Sequence, residues 1–270
     1  MIPARKRWGQ HFLVRPEIAE RIVDAARLRP SDVVLEIGPG EGALTRPLAA
    51  RGMRVLAIEI DAARAAELAR ELGGNGRVLV IPGDARDRTY GEWLERAGWE
   101  GPAVLVSNLP YNAATPLVTR AVEEPKAISR AVVTVQREVA RRFAARPGDE
   151  GYGFLSVRTA AFASARLLFD LPPSAFRPRP RVVSSVLELT PRPGEAAAAL
   201  RDRALALASL GFRSRRKTLA NALAGAAPKD ALEAALAAMD KTPKARAEEL
   251  SWPDYVVLAR RVPEAAAGRA

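Results

Sequence analysis

Short apolar runs alternate with amphipathic stretches through the first two-thirds of the chain. Residues 16–28 place Ile18, Ile22, Val23 and Ala26 on one face at helical spacing. Residues 32–37 then read as an apolar strand entering a glycine-rich turn, with a helical stretch at 43–51 behind it. Further strands are expected near 53–58, 77–81, 103–107 and 130–136, and helices near 62–72, 90–96, 114–123 and 137–145. This alternation specifies a mostly parallel sheet covered on both faces, with ligands at the carboxyl ends of its strands. A helix at 153–163 leads to two β-rich segments, 165–171 and 182–190. Between them the run Pro172-Pro173-Ser174-Ala175-Phe176-Arg177-Pro178-Arg179-Pro180 is too proline-rich for regular structure, and reads as a stiff extended loop presenting an exposed Phe176. The composition shifts at Pro191-Arg192-Pro193-Gly194, after which alanine and leucine recur at helical spacing. The expected organisation is an α/β domain over 1–193 and a small all-helical domain over 194–270, fraying from about Pro263.

The chemistry gathers at the ends of the expected strands. Glycines at 38, 40 and 42 let a ligand approach the backbone closely. The second strand ends at Glu59, whose carboxylate can accept both hydroxyls of a ribose, and the third leads to Asp84, an acid able to face an adenine amino group. The fourth runs into Ser107-Asn108-Leu109-Pro110-Tyr111-Asn112. There an amide oxygen and a backbone carbonyl held by Pro110 can accept two hydrogens of a flat amine, with the Tyr111 ring covering the base. Gly38-x-Gly40-x-x-Ala43 also satisfies a dinucleotide fingerprint. Glu36, Asp84 and the Asn-Leu-Pro-Tyr segment fit S-adenosylmethionine better than a nicotinamide.

Composition narrows the alternatives. The 270 residues contain no cysteine and one histidine, His11, which excludes disulfide frameworks, cysteine nucleophiles and Cys/His zinc sites. No metal is expected. There is no run of eighteen apolar residues and no secretory signal at the start, so a soluble cytoplasmic protein is expected. Forty-two basic against 31 acidic side chains give a net charge of +11, pointing to a polyanionic partner. The excess gathers at Arg5-Lys6-Arg7, at Arg137, Arg141 and Arg142, at Arg177, Arg179 and Arg181, and at Arg213, Arg215, Arg216 and Lys217. The last cluster is expected to open a helix over 218–224, where cations oppose the helix dipole and phosphate binding explains them better.

Several segments in order carry a resemblance over nearly the whole length: Lys6-Arg7-Trp8-Gly9-Gln10-His11-Phe12-Leu13, Glu36-Ile37-Gly38-Pro39-Gly40-Glu41-Gly42-Ala43-Leu44-Thr45, Asn108-Leu109-Pro110-Tyr111-Asn112, Gln136-Arg137-Glu138-Val139-Ala140, Tyr152-Gly153-Phe154-Leu155-Ser156-Val157, Pro178-Arg179-Pro180-Arg181-Val182, and the stretch from Gly211 to Leu223. The chain resembles the bacterial small-subunit (16S) ribosomal RNA adenine dimethyltransferases, the kasugamycin-resistance family. The resemblance implies a Rossmann-like S-adenosylmethionine-dependent methyltransferase with a small C-terminal all-helical domain. It would place two methyl groups on N6 of each of two adjacent adenines in the 3′-terminal hairpin loop of 16S rRNA, in small-subunit biogenesis. Carried across, His11, Leu13 and Gly38 would contact the cofactor, Glu59 its ribose and Asp84 its adenine, and Asn108 would bridge cofactor and target. His11 departs from the asparagine common in the family.

The donor is a sulfonium and already a strong electrophile, so the difficulty lies with the nucleophile, an amine conjugated into its ring. Asn108 and the Leu109 or Pro110 carbonyl would draw it toward a tetrahedral form, with Tyr111 and Phe176 fixing the base. Arg213, Arg215, Arg216 and Lys217 would anchor the RNA, and the protein is expected to be a monomer. The competing readings are a large-subunit rRNA methyltransferase, a non-catalytic RNA-binding assembly factor and, more distantly, a dinucleotide oxidoreductase.

Overall fold

The computed structural model describes residues 10–192 and 196–263. The Arg5-Lys6-Arg7 cluster, the first residues of the N-terminal motif and the tail beyond Pro263 lie outside the described residues. The elements follow the hydrophobic pattern closely. They are β1 (Phe12–Leu13), α1 (Pro16–Ala25), β2 (Val33–Ile37), α2 (Thr45–Ala50), β3 (Arg54–Glu59), α3 (Ala62–Leu72), β4 (Val78–Pro82), α4 (Tyr90–Arg96), β5 (Ala103–Asn108), α5 (Ala114–Glu123) and β6 (Ile128–Gln136). After them come α6 (Arg137–Ala144), α7 (Phe154–Phe162), β7 (Ala163–Leu171), β8 (Phe176–Arg177), β9 (Ser184–Pro191), α8 (Ala198–Arg213), α9 (Leu219–Ala222), α10 (Lys229–Ala237) and α11 (Trp252–Arg261).

The main sheet has the order β4-β3-β2-β5-β6-β9-β7. Its first five strands are parallel, and β9 runs antiparallel to both β6 and β7. All five residues of β2 are buried, as a strand covered on both faces requires, and Glu36 is the one ionisable side chain among them. Helix boundaries have local causes. Pro16 opens α1, where a missing N–H is no loss. The Asp61 carboxylate caps α3 by accepting from the Ala63 amide at 3.1 Å, and Thr89 and Glu92 form a reciprocal capping box on α4. The strand order reverses between β2 and β5, which opens a crevice at their carboxyl ends.

The chain divides into two compact units. One comprises the chain up to Ala140 together with Ala163–Arg192, and its core packs Val34, Val55, Val104, Val132 and Val186 from five adjoining strands. The other comprises Arg141–Phe162 and the residues after Arg192, and its core joins Val157, Leu207, Leu236, Tyr255 and Leu258 from four helices. The chain passes between the units after Ala140, Phe162 and Arg192. Residues 141–162, expected within the first domain, instead pack with the second, because Tyr152, Val157 and Ala161 bury their apolar side chains in the helical core.

The proline-rich loop also differs from expectation. Pro173–Ala175 form a 3-10 turn and Phe176–Arg177 pair antiparallel with Phe12–Leu13. That pairing turns Phe176 inward, opposite Leu13, where it is 4% exposed in the core rather than presented to solvent.

Candidate active site

The glycine loop leaves β2 through three left-handed residues, Gly38, Gly40 and Gly42, with φ of +66°, +57° and +77°. Gly40 has a second constraint, since a Cβ there would lie 2.6 Å from the Phe12 ring. The Arg64 guanidinium lies over the same ring, 4.5 Å from its centroid. Phe12 thus seats the N-terminal strand on the loop. The Gly40 amide in turn donates to Glu59 Oε2 at 2.9 Å, while the Asp61 amide donates to Oε1 at 2.9 Å. Each Glu59 oxygen keeps further lone-pair capacity toward the adjoining cavity. Burial pushes the Glu59 carboxyl above the usual range, against the pull of these two amides and of Arg64.

One cavity gathers the strand ends. It is lined by Gln10, His11 and Phe12, by Gly38 and Gly40, by Glu59 and Ile60, by Asp84 to Arg86, and by Asn108, Leu109 and Pro110. Ile60, not singled out from the sequence, is an exposed apolar side chain next to the acid Glu59, suited to cover a flat heterocycle. The signal for it was present: an isoleucine in a strand-to-helix turn where polar residues are usual. Asp84 is engaged by Arg86, whose Nη2 donates to Oδ2 at 2.6 Å and whose amide donates to Oδ1 at 2.9 Å. The Arg86 side chain, with its amide, holds the Asp84 carboxyl below the usual range despite partial burial.

Asn108 is the best-determined group. Ser107 Oγ donates to the Ile37 carbonyl at 2.5 Å, which ties the end of β5 to the end of β2. Asn108 Nδ2 donates to the His11 carbonyl at 2.9 Å. A carbonyl only accepts, so this bond fixes which end of the amide is which. Asn108 Oδ1 is left buried at the cavity without a hydrogen-bond partner. Of the two backbone carbonyls considered with it, that of Pro110 already accepts from the Ala113 amide at 3.0 Å. The Leu109 carbonyl, which accepts nothing among the described residues, is the available one.

The aromatic groups are arranged differently from expectation. Tyr111 is half-buried, its hydroxyl bonded to Ser184 Oγ and its ring 5.0 Å from that of His11 at 30°. His11 Nδ1 meets the Pro178 carbonyl at 2.6 Å and therefore carries the proton. Phe176 and Leu13 belong to the core and do not line the cavity, because both face inward from the β1–β8 pair. Beneath the loop, Glu36 is 1% exposed with Oε2 unpartnered, and burial, reinforced by the nearby Glu59, pushes its carboxyl up to about 8.

The basic cluster of the helical unit sits between helices rather than at the start of a long one. Arg213 ends α8, where a cation is favourable to the helix dipole, and α9 is a single turn capped by Thr218. Arg215 is engaged by Glu248 at 3.1 Å and by the Tyr152 carbonyl at 3.3 Å. Arg216 and Lys217 are exposed and unpaired among the described residues. No group of His, Cys, Asp and Glu suited to a metal occurs among the described residues, and no helix there is long and apolar enough to cross a membrane.

Comparison with known proteins bears on this arrangement. A family model described as Ribosomal RNA adenine dimethylase matches residues 1–261. The chain is 44% identical over 258 residues to the Ribosomal RNA small subunit methyltransferase A of Rubrobacter xylanophilus, covering 96% of this chain and 95% of that protein. It is 41% identical over 262 residues to the protein of the same name from Synechococcus sp. (strain JA-3-3Ab), covering 94% and 91%. Among solved structures, the 23S rRNA methyltransferase ErmE aligns with a TM-score of 0.73 at 28% identity, covering 93% of this chain and 99% of that one. A dimethyladenosine transferase from Plasmodium falciparum shares the fold, with a TM-score of 0.74 at 24% identity over 92% and 96%.

Proposed function

The chain belongs to the ribosomal RNA adenine dimethylase family, and from that premise we infer how its own residues carry out S-adenosylmethionine-dependent dimethylation of adenine N6 in 16S rRNA. The large-subunit reading is not favoured: the relatives named for the small subunit are 41% and 44% identical over nearly the whole chain, against 28% for the large-subunit enzyme. The target is proposed to be the pair of adjacent adenines in the 3′-terminal hairpin loop, within the small subunit.

The observation that carries the catalytic assignment is the buried, unpartnered Asn108 Oδ1. A buried acceptor without a donor costs about 1–3 kcal/mol, a cost removed when an amino group fills the site. We assign Asn108 Oδ1 and the Leu109 carbonyl to the two hydrogens of N6. Accepting both directs the nitrogen lone pair away from the ring system, and the Nδ2 bond to His11 means the amide need not reorient as the reaction proceeds. His11, backed by the Tyr111 ring, would wall the base, while Phe176, in the core, supports β1 from beneath. Extruding the adenine costs roughly a few kcal/mol, less from a loop than from a duplex.

The cavity residues fit S-adenosylmethionine: Glu59 would hold the ribose hydroxyls, Ile60 and Ala85 would flank the adenine, and Asp84 would accept its amino group after exchanging with Arg86. That cofactor supplies an activated methyl group on a sulfonium. Gly38 and Gly40 would allow its close approach, with the His11–Leu13 strand closing the site through backbone contacts. Among the described residues the exposed large apolar side chains are Val14, Ile60, Leu79, Leu167 and Val182, too few to form an extended apolar interface, which supports a monomer, and a ribosomal RNA substrate supports action in the cytoplasm.

Labelled methyl transfer to unmodified small subunits, with free large-subunit RNA and Asn108→Ala alongside, tests this reading. Dimethyladenosine on small subunits alone, lost in the variant, is the expected result. Binding without transfer would overturn it in favour of an assembly factor.

A further inference from the structure

Most arginines of the first unit are spent on internal partners. Arg166 and Arg27 converge on Glu188, Arg46 grips Glu71, Arg51 bridges Glu20 and Asp24, and Arg137 lies 3.7 Å from Asp170. Arg177, Arg179 and Arg181 differ. All three are exposed, fall within five residues, and have no acidic or hydrogen-bonding partner among the described residues. Three like charges so close repel one another, and no acidic side chain among the described residues pairs with them to offset that repulsion.

The segment bearing them is nonetheless well anchored. Arg177 pairs with Phe12 in the β1–β8 ladder, the Pro178 carbonyl meets His11 Nδ1 at 2.6 Å, and Pro180 is buried. At its far end the Val183 carbonyl accepts from the Arg137 amide at 3.0 Å, and Ser184 is bonded to Tyr111. Pro178 and Pro180 offer no N–H and restrict the backbone, so little conformational entropy remains to be lost when these side chains meet a ligand. His11 and Phe12 line the cavity, so the segment that pairs with them runs alongside it and carries its exposed arginines next to the site. Two exposed apolar side chains flank them, Val182 in sequence and Val14, whose amide donates to the Ala175 carbonyl at 2.9 Å.

We propose that this surface, Arg177 to Val182 with Val14, binds the sugar–phosphate backbone of the single-stranded segment that carries the target adenine. The cations meet phosphates beside an extruded base, and the valines meet sugar or base faces. This rests on the reading of the cavity as an adenine site. It adds that the catalytic unit itself selects single-stranded RNA, in addition to any contact made by Arg216 and Lys217.

The test uses the full-length protein and a single-stranded RNA bearing the loop sequence, with Kd measured across a salt series. For R177Q/R179Q/R181Q the slope of log Kd against log salt should fall in magnitude by about 2, at roughly 0.7 per lost phosphate contact. R177K/R179K/R181K should keep most of the slope, and R70Q/R96Q, which removes exposed charges elsewhere on the same unit, should leave it unchanged. Cofactor affinity and Tm should match wild type in all three, which separates lost contacts from misfolding. An unchanged slope in the glutamine triple, or an equal loss in the control, overturns the proposal. So does an equal effect on duplex RNA or on anionic lipid vesicles, which would mark an unselective cationic surface. Failure of the wild-type enzyme to methylate small subunits would instead count against the functional reading on which the proposal rests.

Discussion

Replacing Glu36 with glutamine should abolish a specific dependence of stability on pH. The carboxyl lies in the middle of the sheet, 1% exposed, with Oε2 unpartnered, and burial followed by the charge of Glu59 pushes it up to about 8. In the unfolded chain the same group titrates near 4.5. Between these values the folded protein holds a proton that the unfolded chain has released, so stability is highest below about 4.5 and falls as pH rises toward about 8. The gap corresponds to roughly 5 kcal/mol across the window. Glutamine has nearly the shape of the protonated acid and does not titrate, and its amide can keep the contact that the Glu36 carboxyl makes with the buried Thr45 hydroxyl. Urea unfolding at about pH 6 and about pH 8 should show wild type losing about 2 kcal/mol more than Glu36→Gln. Glu59, raised in the same direction mainly by its own burial, is present in both proteins, so that burial contributes to both. Equal pH dependence in the two proteins would refute the assignment of a neutral acid beneath the glycine loop.

Three further outcomes follow from the site. Asn108→Ala should lower the single-turnover methylation rate about 10²- to 10³-fold while leaving the circular dichroism spectrum unchanged, and a rate within a factor of a few of wild type would remove Asn108 from the chemistry. Gly40→Ala forces a left-handed residue to carry a Cβ 2.6 Å from the Phe12 ring, so thermal melts should show a loss of about 1–3 kcal/mol, and equilibrium dialysis should show weakened cofactor binding. Arg86→Met frees Asp84 from a solvent-exposed pair, so S-adenosylmethionine should bind tighter by up to about fivefold in calorimetry; weaker binding would mean that Arg86 itself holds the cofactor.

The sequence by itself determined the alternating elements, the parallel sheet and the strand ends that bear the site. Hydrophobic periodicity, glycines and caps act over a few residues, and the run of β2 into Gly38, Gly40 and Gly42 leaves little local alternative. That Glu59, Asp84 and Asn108 converge on one cavity was legible for the same reason: in a parallel sheet the ends of adjacent strands must lie together. Tertiary structure decided what each of these groups does with its lone pairs. The orientation of Asn108 depends on the His11 carbonyl, 97 residues away in sequence, and Pro110 loses its carbonyl to the turn that starts α5. Phe176 was expected outside and lies inside because β1 pairs with β8, a contact between two-residue strands too short to register as a pattern. Residues 141–162 join the helical unit although their local sequence resembles their neighbours, since an amphipathic face does not specify which core will bury it. Propensity and periodicity are properties of the local chain, whereas burial, hydrogen-bond partners and pKa belong to groups brought together only when the chain has folded.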